Sequence, residues 1–418
     1  MKFSTSKLKA VLLCVSIIFC NYMQSQITVG ADLTPNKGSL LDLKEYNNPA
    51  QLANSGKGLG MPRVSLQRLE KLDPCVENAT EEDKKKHTGL MVYNLTDDTP
   101  YGLCPGLYVW QTTEWTRLPE PCPKIYYNTK KILGIGLDNY SVGATSPNAG
   151  GSILLQNQAA FGEDSNSIVG FKGYTLDYLR IPSLVDIDYL GTLDAKLAEK
   201  PDIIVISYPS RILNQNTADK LNNYLNQNGV LILLLEDPGG VSADTQKSSQ
   251  IFLRTVFGNT NITQKNTTSD AFSGSVYQYS TTINDEVING PFGDLRGKYW
   301  GEDASYTSLV SGLPSDQIIE YSTAYDYSMG VANSGYINSF RHKTKNLLFV
   351  GDGGFIVYQK GSAVPTAYPF GLDNNNIPVE RANYGRGIKY NVSNSIFFGN
   401  VMAWAIKMAE YNGINTIP

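Results

Sequence analysis

Four runs of apolar residues constrain the fold of the second half of the chain more than any other feature of the sequence. None of them alternates strictly between apolar and polar residues, which is typical of strands that are buried on both faces of a parallel sheet. The sequence therefore predicts an α/β domain with central strands covered by helices. The runs are KILGIGL (131–137), DIIVIS (202–207), VLILLL (230–235) and NLLFVG (346–351).

Helical segments lie between and after these runs. In NTADKLNNYLNQNG (216–229), apolar residues recur at helical spacings, and the pattern predicts a helix capped by Thr217 and ended by Gly229. Further helices are predicted over 246–258 and over 395–411. Strands and helices in this order predict right-handed crossovers between parallel strands. The segment 259–345 is less regular, and we expect β insertions and loops there.

Residues 26–122 have a different sequence pattern, with short segments in which apolar and polar residues alternate and with frequent turn residues. The segment GLYVWQTTEWTRL (106–118) predicts a hairpin that turns near residues 112 and 113. Cys104 and Cys122 flank the open end of this hairpin at matching distances from the turn. We therefore expect these two cysteines to be bridged and Cys75 to be free, although other pairings remain open from the sequence alone.

Residues 1–25 have the features of a secretory signal peptide, with early lysines, an apolar stretch over 10–20 and a polar end. Cleavage after Ser25 is expected; acylation of Cys20 is the alternative, which bulky Phe19 disfavours. We expect an exported protein at the cell surface, outside the cell or in the periplasm. No later segment reaches 18 uninterrupted apolar residues, so no transmembrane segment is expected in the mature chain.

The module 26–122 carries a recurring pattern, LD…KG…PR…GLMVYN…GLY.W….W. With this pattern it resembles a β-rich module of secreted and surface proteins from gut-type Gram-negative bacteria, similar to head segments of fibre-like proteins. The resemblance implies a surface or appendage-associated module without catalysis; a generic β-rich domain is the alternative. The matching residues are Leu41-Asp42, Lys57-Gly58, Pro62-Arg63, Gly89 to Asn94, Gly106 to Trp110, and Trp115.

The domain 123–418 carries PDIIVISYPS (201–210), the helix and strand that end at 237, NLLFVGDGGF (346–355) and NSIFFGNVMAWAIK (394–407). In this order the segments resemble the class I glutamine amidotransferase-like superfamily over roughly 124–412. The resemblance implies a mostly parallel, flavodoxin-like sheet with helices on both faces, here preceded by a small β-rich domain.

In the amidotransferases of that superfamily, a nucleophilic cysteine follows a central strand and a later histidine acts as the base. The corresponding elbow falls at residues 235–237 here, and the domain contains no cysteine. Its single histidine, His342, lies in what the sequence predicts to be a solvated stretch. The resemblance therefore implies a catalytically degenerate member without glutaminase activity.

Acidic residues follow two of the apolar runs directly. Glu236 and Asp237 follow 230–235, and Asp352 follows 346–351. The carboxyl ends of parallel strands form the edge where such sheets bind ligands, so these acids could serve as acid–base groups or hold a hard cation. The alternative is that they only end buried strands and cap the following helices. We expect the alternative, with no catalytic residue, no metal and no cofactor.

Three loops have partial likeness to ligand-binding loops. GIGLDNYSVG (134–143) and GDGGF (351–355) match neither G-x-G-x-x-G nor G-x-x-x-x-G-K-[ST], so their glycines predict turns with positive φ rather than a nucleotide site. DNNNIPVE (373–380) has Ile377 at a ligand position and lacks the glycine of a calcium loop.

The formal net charge is −4, and the basic residues do not form a stripe, so nucleic acid is not an expected partner. With 26 tyrosines, 4 tryptophans and Asn-rich loops, we expect a recognition surface formed by the strand ends and the segment 259–345. The prediction is a non-catalytic exported protein that binds a glycan or a surface protein. The alternative is a hydrolase acting on carbohydrate or peptide through Glu236, Asp237 and Asp352. The residues expected to bind the ligand are Tyr208, Arg211, Tyr299, Trp300 and Asp352.

Overall fold

The computed structural model describes residues 27–29, 32–34, 39–46, 55–97, 102–119, 126–164, 166–237, 247–267, 274–303, 306–359 and 367–416. The predicted signal peptide lies outside these residues. The chain divides into two compact units, 1–97 with 103–121 and 98–102 with 122–418. Within the described part of the chain, no helix is both long and apolar enough to cross a membrane.

The first unit is built from short strands and one short helix. Strands β3 to β6 form one sheet, and the hairpin predicted over 106–118 is confirmed, because β5 and β6 pair antiparallel with Trp110 opposite Trp115. The elements are β1 (Ile27–Val29), β2 (Leu41–Leu43), β3 (Arg63–Val64), α1 (Glu81–Lys86), β4 (Met91–Asn94), β5 (Gly106–Trp110) and β6 (Trp115–Leu118).

One face of this sheet carries the core of the first unit. Trp110 and Trp115 are buried and meet edge to face, with ring centroids 5.5 Å apart. Their indole N–H groups donate to the backbone oxygens of Lys84 at 2.8 Å and of Lys71 at 2.7 Å. Each ring thus buries a large apolar area while its polar atom is satisfied, which fixes the sheet against helix α1 and the preceding loop.

The cysteines of this unit are only partly within the described residues. Cys75 is free and half-buried, and burial raises the pKa of its thiol. Cys104 is disulfide-bonded. Because Cys122 lies outside the described residues, the predicted Cys104–Cys122 pair stays a prediction.

In the second unit, strands and helices alternate along the chain. The segment 259–345, called the insertion below, interrupts this alternation and is mainly antiparallel. Its helices are α2 (Gly150–Gln156), α3 (Leu193–Ala198), α4 (Gln215–Asn226), α5 (Gln250–Phe257) and α6 (Asn394–Tyr411). Its strands are β7 (Lys130–Gly136), β8 (Phe161–Gly162), β9 (Val169–Gly170), β10 (Tyr174–Arg180), β11 (Ile203–Ile206), β12 (Val230–Leu234), β13 (Thr263–Asn266), β14 (Val276–Gln278), β15 (Asn289–Gly290), β16 (Gly293–Asp294), β17 (Tyr299–Gly301), β18 (Ser308–Ser311), β19 (Ile318–Thr323), β20 (Ile337–His342), β21 (Leu347–Val350), β22 (Arg381–Tyr384) and β23 (Tyr390–Val392).

The main sheet of the second unit is mixed. Strands β10, β7, β11, β12 and β21 are neighbours in that order and parallel, so the four apolar runs form parallel strands as predicted. The insertion continues the sheet beyond β21 with β20, β18 and β13, and adds β19 beside β20, all antiparallel. The expectation of a mostly parallel sheet is therefore wrong for the sheet as a whole, because the insertion contributes its own antiparallel strands.

Two cores cover the two faces of the parallel strands. In β11, Ile203 and Val205 belong to the core that contains α6, whereas Ile204 and Ile206 belong to the core that contains α4 and α5. Both faces of each central strand are thus buried, which is why the four runs show no alternation of apolar and polar residues.

The ends of α4 differ from the prediction. Asn214 is the N-cap, because its side-chain oxygen accepts the N–H of Thr217 at 2.9 Å. At the other end, Asn228 adopts the left-handed conformation (φ 65°) rather than Gly229. Gly229 is needed for space instead: a Cβ there would lie 2.2 Å from Cζ of Tyr224.

His342 is buried, and the prediction of a solvated stretch is wrong. Its Nδ1 accepts the N–H groups of Thr344 at 3.1 Å and Lys345 at 3.0 Å, and its ring stacks on Phe257 with centroids 5.1 Å apart. Because β20 runs antiparallel to β21, the end of β20 places His342 at the amino ends of the parallel strands.

Candidate functional site

The carboxyl ends of four parallel strands bring a set of polar side chains to one edge of the sheet. Tyr140 lies in a short 3₁₀ turn after β7, Tyr208 follows β11, Glu236 follows β12 and Asp352 follows β21. This edge is where open α/β sheets place their ligands. Three of these four residues were singled out by the sequence analysis, and Tyr140 was missed.

An acidic cluster lies at this edge. Glu236, Asp303 and Asp352 each offer one carboxylate oxygen, and the three oxygens lie within 4.8 Å of one another. Asp303 comes from the insertion, just after β17, which belongs to a separate sheet formed by β14, β17, β23 and β22. Asp303 was not predicted from the sequence, although it belongs to an acidic pair that directly follows a strand, the same signal that identified Glu236.

Asp352 is the most deeply placed member of the cluster. Its side chain is completely buried, and its Oδ1 accepts the N–H of Gly354 at 3.0 Å. Its Oδ2 has no hydrogen-bond partner in the described structure. Burial, followed by the negative charges of Asp303, Glu236 and Glu302, raises the pKa of Asp352 well above its usual range. A buried carboxylate in such surroundings is costly unless a proton or a cation neutralises it.

Two glycines after Asp352 allow the cluster to form. A Cβ on Gly354 would lie 1.7 Å from Oδ2 of Asp303, and a Cβ on Gly353 would lie 3.0 Å from Cγ of Glu236. The N–H of Gly353 also points to Oε2 of Glu236 at 3.4 Å. Neither glycine has a positive φ, so the predicted reason for this pair is wrong: they permit close approach of the backbone to the acids.

Asp237 does not join the cluster. Its Oδ1 accepts the N–H of Ser248 at 2.5 Å, and its Oδ2 accepts the side-chain N–H of Gln264 at 2.7 Å. Burial is the largest influence on its carboxyl and raises the pKa, which the hydrogen bonds from Ser248 lower. The hypothesis that Asp237 acts together with Glu236 and Asp352 is therefore wrong, because this side chain fastens the strand end to the insertion.

Two tyrosine rings stand beside the cluster. The centroids of Tyr140 and Tyr208 are 4.8 Å apart, with the rings inclined at 50°. Burial, and then the charges of Asp303 and Glu236, raise the pKa of both hydroxyl groups. Both tyrosines therefore stay protonated at neutral pH and keep a hydrogen-bond donor near the acids.

A cavity of about 510 Å³ opens at the end of β7. Tyr140 lines it and thereby connects it to the tyrosine pair. Among the described residues that line this cavity, none is lysine or arginine, and the lining Asp138 is paired with Arg180 at 3.3 Å. Its polar lining residues are Asp138, Asn139, Tyr140, Thr145, Ser146 and Tyr178.

Arg211 lies near this edge but is not part of the acidic cluster. Its side chain is buried, and its Nε and Nη2 atoms lack hydrogen-bond partners in the described structure. Burial lowers the pKa of its guanidinium, whereas the charges of Asp237 and Tyr208 raise it. Arg211 therefore retains unused donors beside Tyr208, where the sequence analysis placed a ligand.

Tyr299 and Trp300 were both expected on an exposed recognition surface. For Trp300 this prediction is wrong. Its ring is completely buried, packs against Tyr277 with centroids 4.6 Å apart, and donates its N–H to Oγ of Ser322 at 2.9 Å. Tyr299 is half-buried and packs on Tyr390 with centroids 4.4 Å apart. Trp300 belongs to the core because β17 is an inner strand of the second sheet rather than a surface loop.

The chain shows limited similarity to known proteins. Residues 28–132 match a family model described as a phage tail-like trimerisation region. A protein of Thermoplasma acidophilum described as a GMP synthase subunit is 11% identical with a TM-score of 0.32, over 66% of this chain and 96% of that one. The mmIFT52 N-terminal domain is 11% identical with a TM-score of 0.29, over 44% of this chain and 75% of that one. Curated proteins give no match to this sequence. Neither structural likeness is close enough to assign a function.

Proposed function

We propose that this is an exported, surface- or appendage-associated protein that assembles as a trimer through its first unit and binds a glycan through its second. The observation that carries the proposal for the second unit is the Tyr140–Tyr208 pair beside the acidic cluster at the carboxyl ends of the strands. On this proposal the second unit binds its ligand without transforming it.

We infer that the parallel part of the sheet is flavodoxin-like. Counted along the chain, its strands lie in the order 2-1-3-4-5, with β7 first and β10 second. In sheets of this order, ligands bind where the strand order reverses, between the first and third strands. Tyr140 follows the first strand and Tyr208 the third, so the two rings flank that position.

The chemistry of the cavity favours a sugar. Hydroxyl, amide and carboxylate groups line it, and these supply directional hydrogen bonds to the hydroxyls of a saccharide. The aromatic rings of Tyr140 and Tyr208 supply apolar faces for the C–H side of a sugar ring. A neutral ligand also suits this cavity, because the lining carboxylate of Asp138 is already paired with Arg180.

The absence of glutaminase activity is supported by the positions of the groups that an amidotransferase uses. The sequence has no cysteine after Cys122. His342 lies at the amino ends of the parallel strands, and the crevice lies at their carboxyl ends. A thiol–histidine pair cannot form there, which supports the expectation of a unit without glutaminase activity.

A hydrolase remains the second candidate because Glu236, Asp303 and Asp352 converge. Hydrolysis of a glycoside ordinarily requires two carboxyl groups that reach opposite sides of the scissile bond. Asp352 is completely buried and Glu236 is 5% exposed, so Asp303 is the member of the cluster that a substrate reaches most readily. This arrangement favours binding over hydrolysis.

Trimer formation through the first unit is supported by the outer face of its sheet. Tyr93, Leu107 and Leu118 are cross-strand neighbours on β4, β5 and β6, on the face opposite the buried tryptophans. Met91 and Leu95 extend this apolar row along β4, with exposed fractions of 37% and 50%. An apolar sheet face of this kind is suited to burial against other copies of the chain, and it falls within the residues that match the trimerisation model.

Glycan binding is tested by screening residues 26–418 on a glycan array and measuring the affinity of the best ligand. Tyr208→Ala is expected to weaken binding at least tenfold. Tyr411→Ala, which removes an exposed ring at the end of α6, is expected to leave the affinity unchanged. Binding of a surface protein but of no glycan would overturn the ligand class, and release of reducing sugar that is lost in Asp303→Asn would favour the hydrolase.

Trimerisation is tested by measuring the molar mass with light scattering. The chain is expected to have the mass of three copies, and the double change Tyr93→Asp with Leu107→Asp is expected to give monomers with an unchanged circular dichroism spectrum. The matched control, Lys86→Asp, places the same side chain on α1. A monomeric wild-type chain would contradict the trimer.

A further inference from the structure

We propose that Glu236, Asp303 and Asp352 hold a divalent cation, and that Ca²⁺ is the ion that fits the cluster best. Three carboxylate oxygens from separate segments of the second unit meet within 4.8 Å. Ca²⁺ binds carboxylate oxygens at about 2.3–2.6 Å, so two oxygens on opposite sides of one ion lie at most about 5 Å apart. The spacing of the three oxygens is therefore compatible with a Ca²⁺ ion between them. Mg²⁺ demands near-ideal octahedral geometry and usually keeps several of its waters, which suits a site with two buried carboxylates less well.

A second observation points to a ligand at this position. Oδ2 of Asp352 is completely buried and meets no hydrogen-bond donor in the described structure. Buried carboxylate oxygens are nearly always hydrogen-bonded or bound to a metal ion. The other oxygen of the same carboxylate accepts the N–H of Gly354, so the side chain is fixed with one oxygen left for a cation.

The backbone around the cluster also leaves room for an ion. Gly353 and Gly354 follow Asp352, and a side chain on Gly354 would occupy the position next to Oδ2 of Asp303. Asp303 is half-exposed, whereas Glu236 and Asp352 are buried. A cation held here would thus have two buried carboxylates as ligands and the half-exposed Asp303 as the third.

The neighbouring charges explain why a cation stabilises this arrangement. Asp303, Glu236 and Glu302 all place negative charge near Asp352. A doubly charged ion at their centre converts this repulsion into attraction, and a hard cation prefers oxygen ligands of this kind. Cation binding does not rest on the glycan proposal, because all three proposed ligands belong to the chain itself.

The experiment measures CaCl₂ and MgCl₂ binding to the chelator-treated full chain by calorimetry, with thermal unfolding alongside. One Ca²⁺ per chain is expected, with a Tm several degrees higher in Ca²⁺ than in EDTA and weaker binding of Mg²⁺. Terbium, which takes oxygen sites of Ca²⁺, is expected to show emission sensitised by the nearby tyrosines Tyr140 and Tyr208.

Asp352→Asn and Asp303→Asn are each expected to weaken Ca²⁺ binding at least tenfold while the protein remains folded. Asp237→Asn is the matched control, because this buried acid is adjacent to Glu236 in the chain but lies outside the cluster; its Ca²⁺ affinity is expected to stay within twofold of wild type. Equal loss in Asp237→Asn and Asp352→Asn would show a folding effect and overturn the site. Absence of a binding heat together with an unchanged Tm in Ca²⁺, Mg²⁺ and EDTA would also overturn it.

Discussion

The buried acids at the two edges of the parallel sheet differ in how completely they are hydrogen-bonded. At the amino edge, Asp202 is buried and accepts the N–H of Lys131 at 2.7 Å and the side-chain N–H of Asn415 at 2.9 Å. At the carboxyl edge, Asp352 is also buried but leaves one oxygen without a partner in the described structure. An acid that is fully hydrogen-bonded holds the fold together, whereas an acid left incomplete indicates a place for a ligand.

The same contrast separates two adjacent residues at the end of β12. Asp237 has both carboxylate oxygens engaged by Ser248 and Gln264, in addition to its own burial. Glu236 points to the cluster with Asp303 and Asp352. Neighbours in sequence with the same charge thus have different roles, and only their partners in the fold distinguish them.

The largest expected loss of stability is that of Gly229→Ala at the amino edge, which is compared with Gly354→Ala at the carboxyl edge. Gly229→Ala would push a methyl group against the buried ring of Tyr224, whose hydroxyl is fixed by hydrogen bonds to the backbone of Pro201 and Asp202. We expect a loss of about 3 kcal/mol in the free energy of unfolding, measured with urea.

Gly354→Ala is the counterpart at the carboxyl edge. Its new methyl group would meet Oδ2 of the half-exposed Asp303 at 1.7 Å and Cβ of the same residue at 2.6 Å. Rotation of the side chain moves Oδ2 but not Cβ, so the backbone must also shift, and we expect a cost of about 2 kcal/mol. Ca²⁺ binding is nevertheless expected to fall at least tenfold. A larger loss of stability in Gly354→Ala than in Gly229→Ala would contradict the distinction between the edges.

The second prediction concerns pH and the histidine of the amino edge. Burial, followed by the charge of Lys345, lowers the pKa of His342 to about 4 from 6.5. Because the folded protein favours the neutral imidazole, His342 adds to the free energy of unfolding above pH 6.5. This contribution is lost as the pH falls toward 4. The loss is on the order of 2 kcal/mol after allowance for solvent screening.

The measurement compares urea unfolding of the wild type and His342→Asn between pH 7 and pH 4. Carboxyl groups titrate in both proteins, so the difference between their two slopes reports the histidine. Parallel slopes would mean that His342 titrates as it does in the unfolded chain.

The third prediction compares two acids of the carboxyl edge in EDTA. Asp237→Asn replaces one of two engaged acceptors by a donor, and we expect it to lower the free energy of unfolding by about 1–2 kcal/mol. The raised pKa of Asp352 favours its protonated, neutral form in EDTA. Asn has the same shape and also carries no charge, so we expect Asp352→Asn to change the free energy of unfolding by less than about 0.5 kcal/mol. The reverse order in chemical denaturation would show that Asp352, rather than Asp237, is the structural acid.

The smallest expected effect concerns the hydroxyl of Tyr208. Tyr208→Phe keeps the ring that lies 4.8 Å from Tyr140 and removes only the hydroxyl group. We expect the glycan affinity to fall about threefold, as for the loss of one hydrogen bond, compared with at least tenfold for Tyr208→Ala. Equal losses in the two variants would assign the binding energy to the hydroxyl rather than to the ring.

The sequence by itself determined the local structure of both units. The hairpin around Trp110 and Trp115, the four buried parallel strands and helix α6 all followed from periodicity. Such patterns depend on residues a few positions apart, which meet the same neighbours whenever the strand or helix forms. Glu236 and Asp352 could be placed at one edge for the same reason, because they directly follow parallel strands.

Only the tertiary structure decided which of these polar groups meet. Asp303 reaches Glu236 and Asp352 because β17 belongs to a second sheet whose end lies beside the first. Asp237 is engaged instead by Gln264, at the start of the insertion. Trp300, expected at the surface, is buried because the insertion folds back and packs it into the core that contains α6. Contacts between residues so far apart in the chain depend on how the insertion folds back, and no local pattern of hydrophobic and polar residues encodes that geometry.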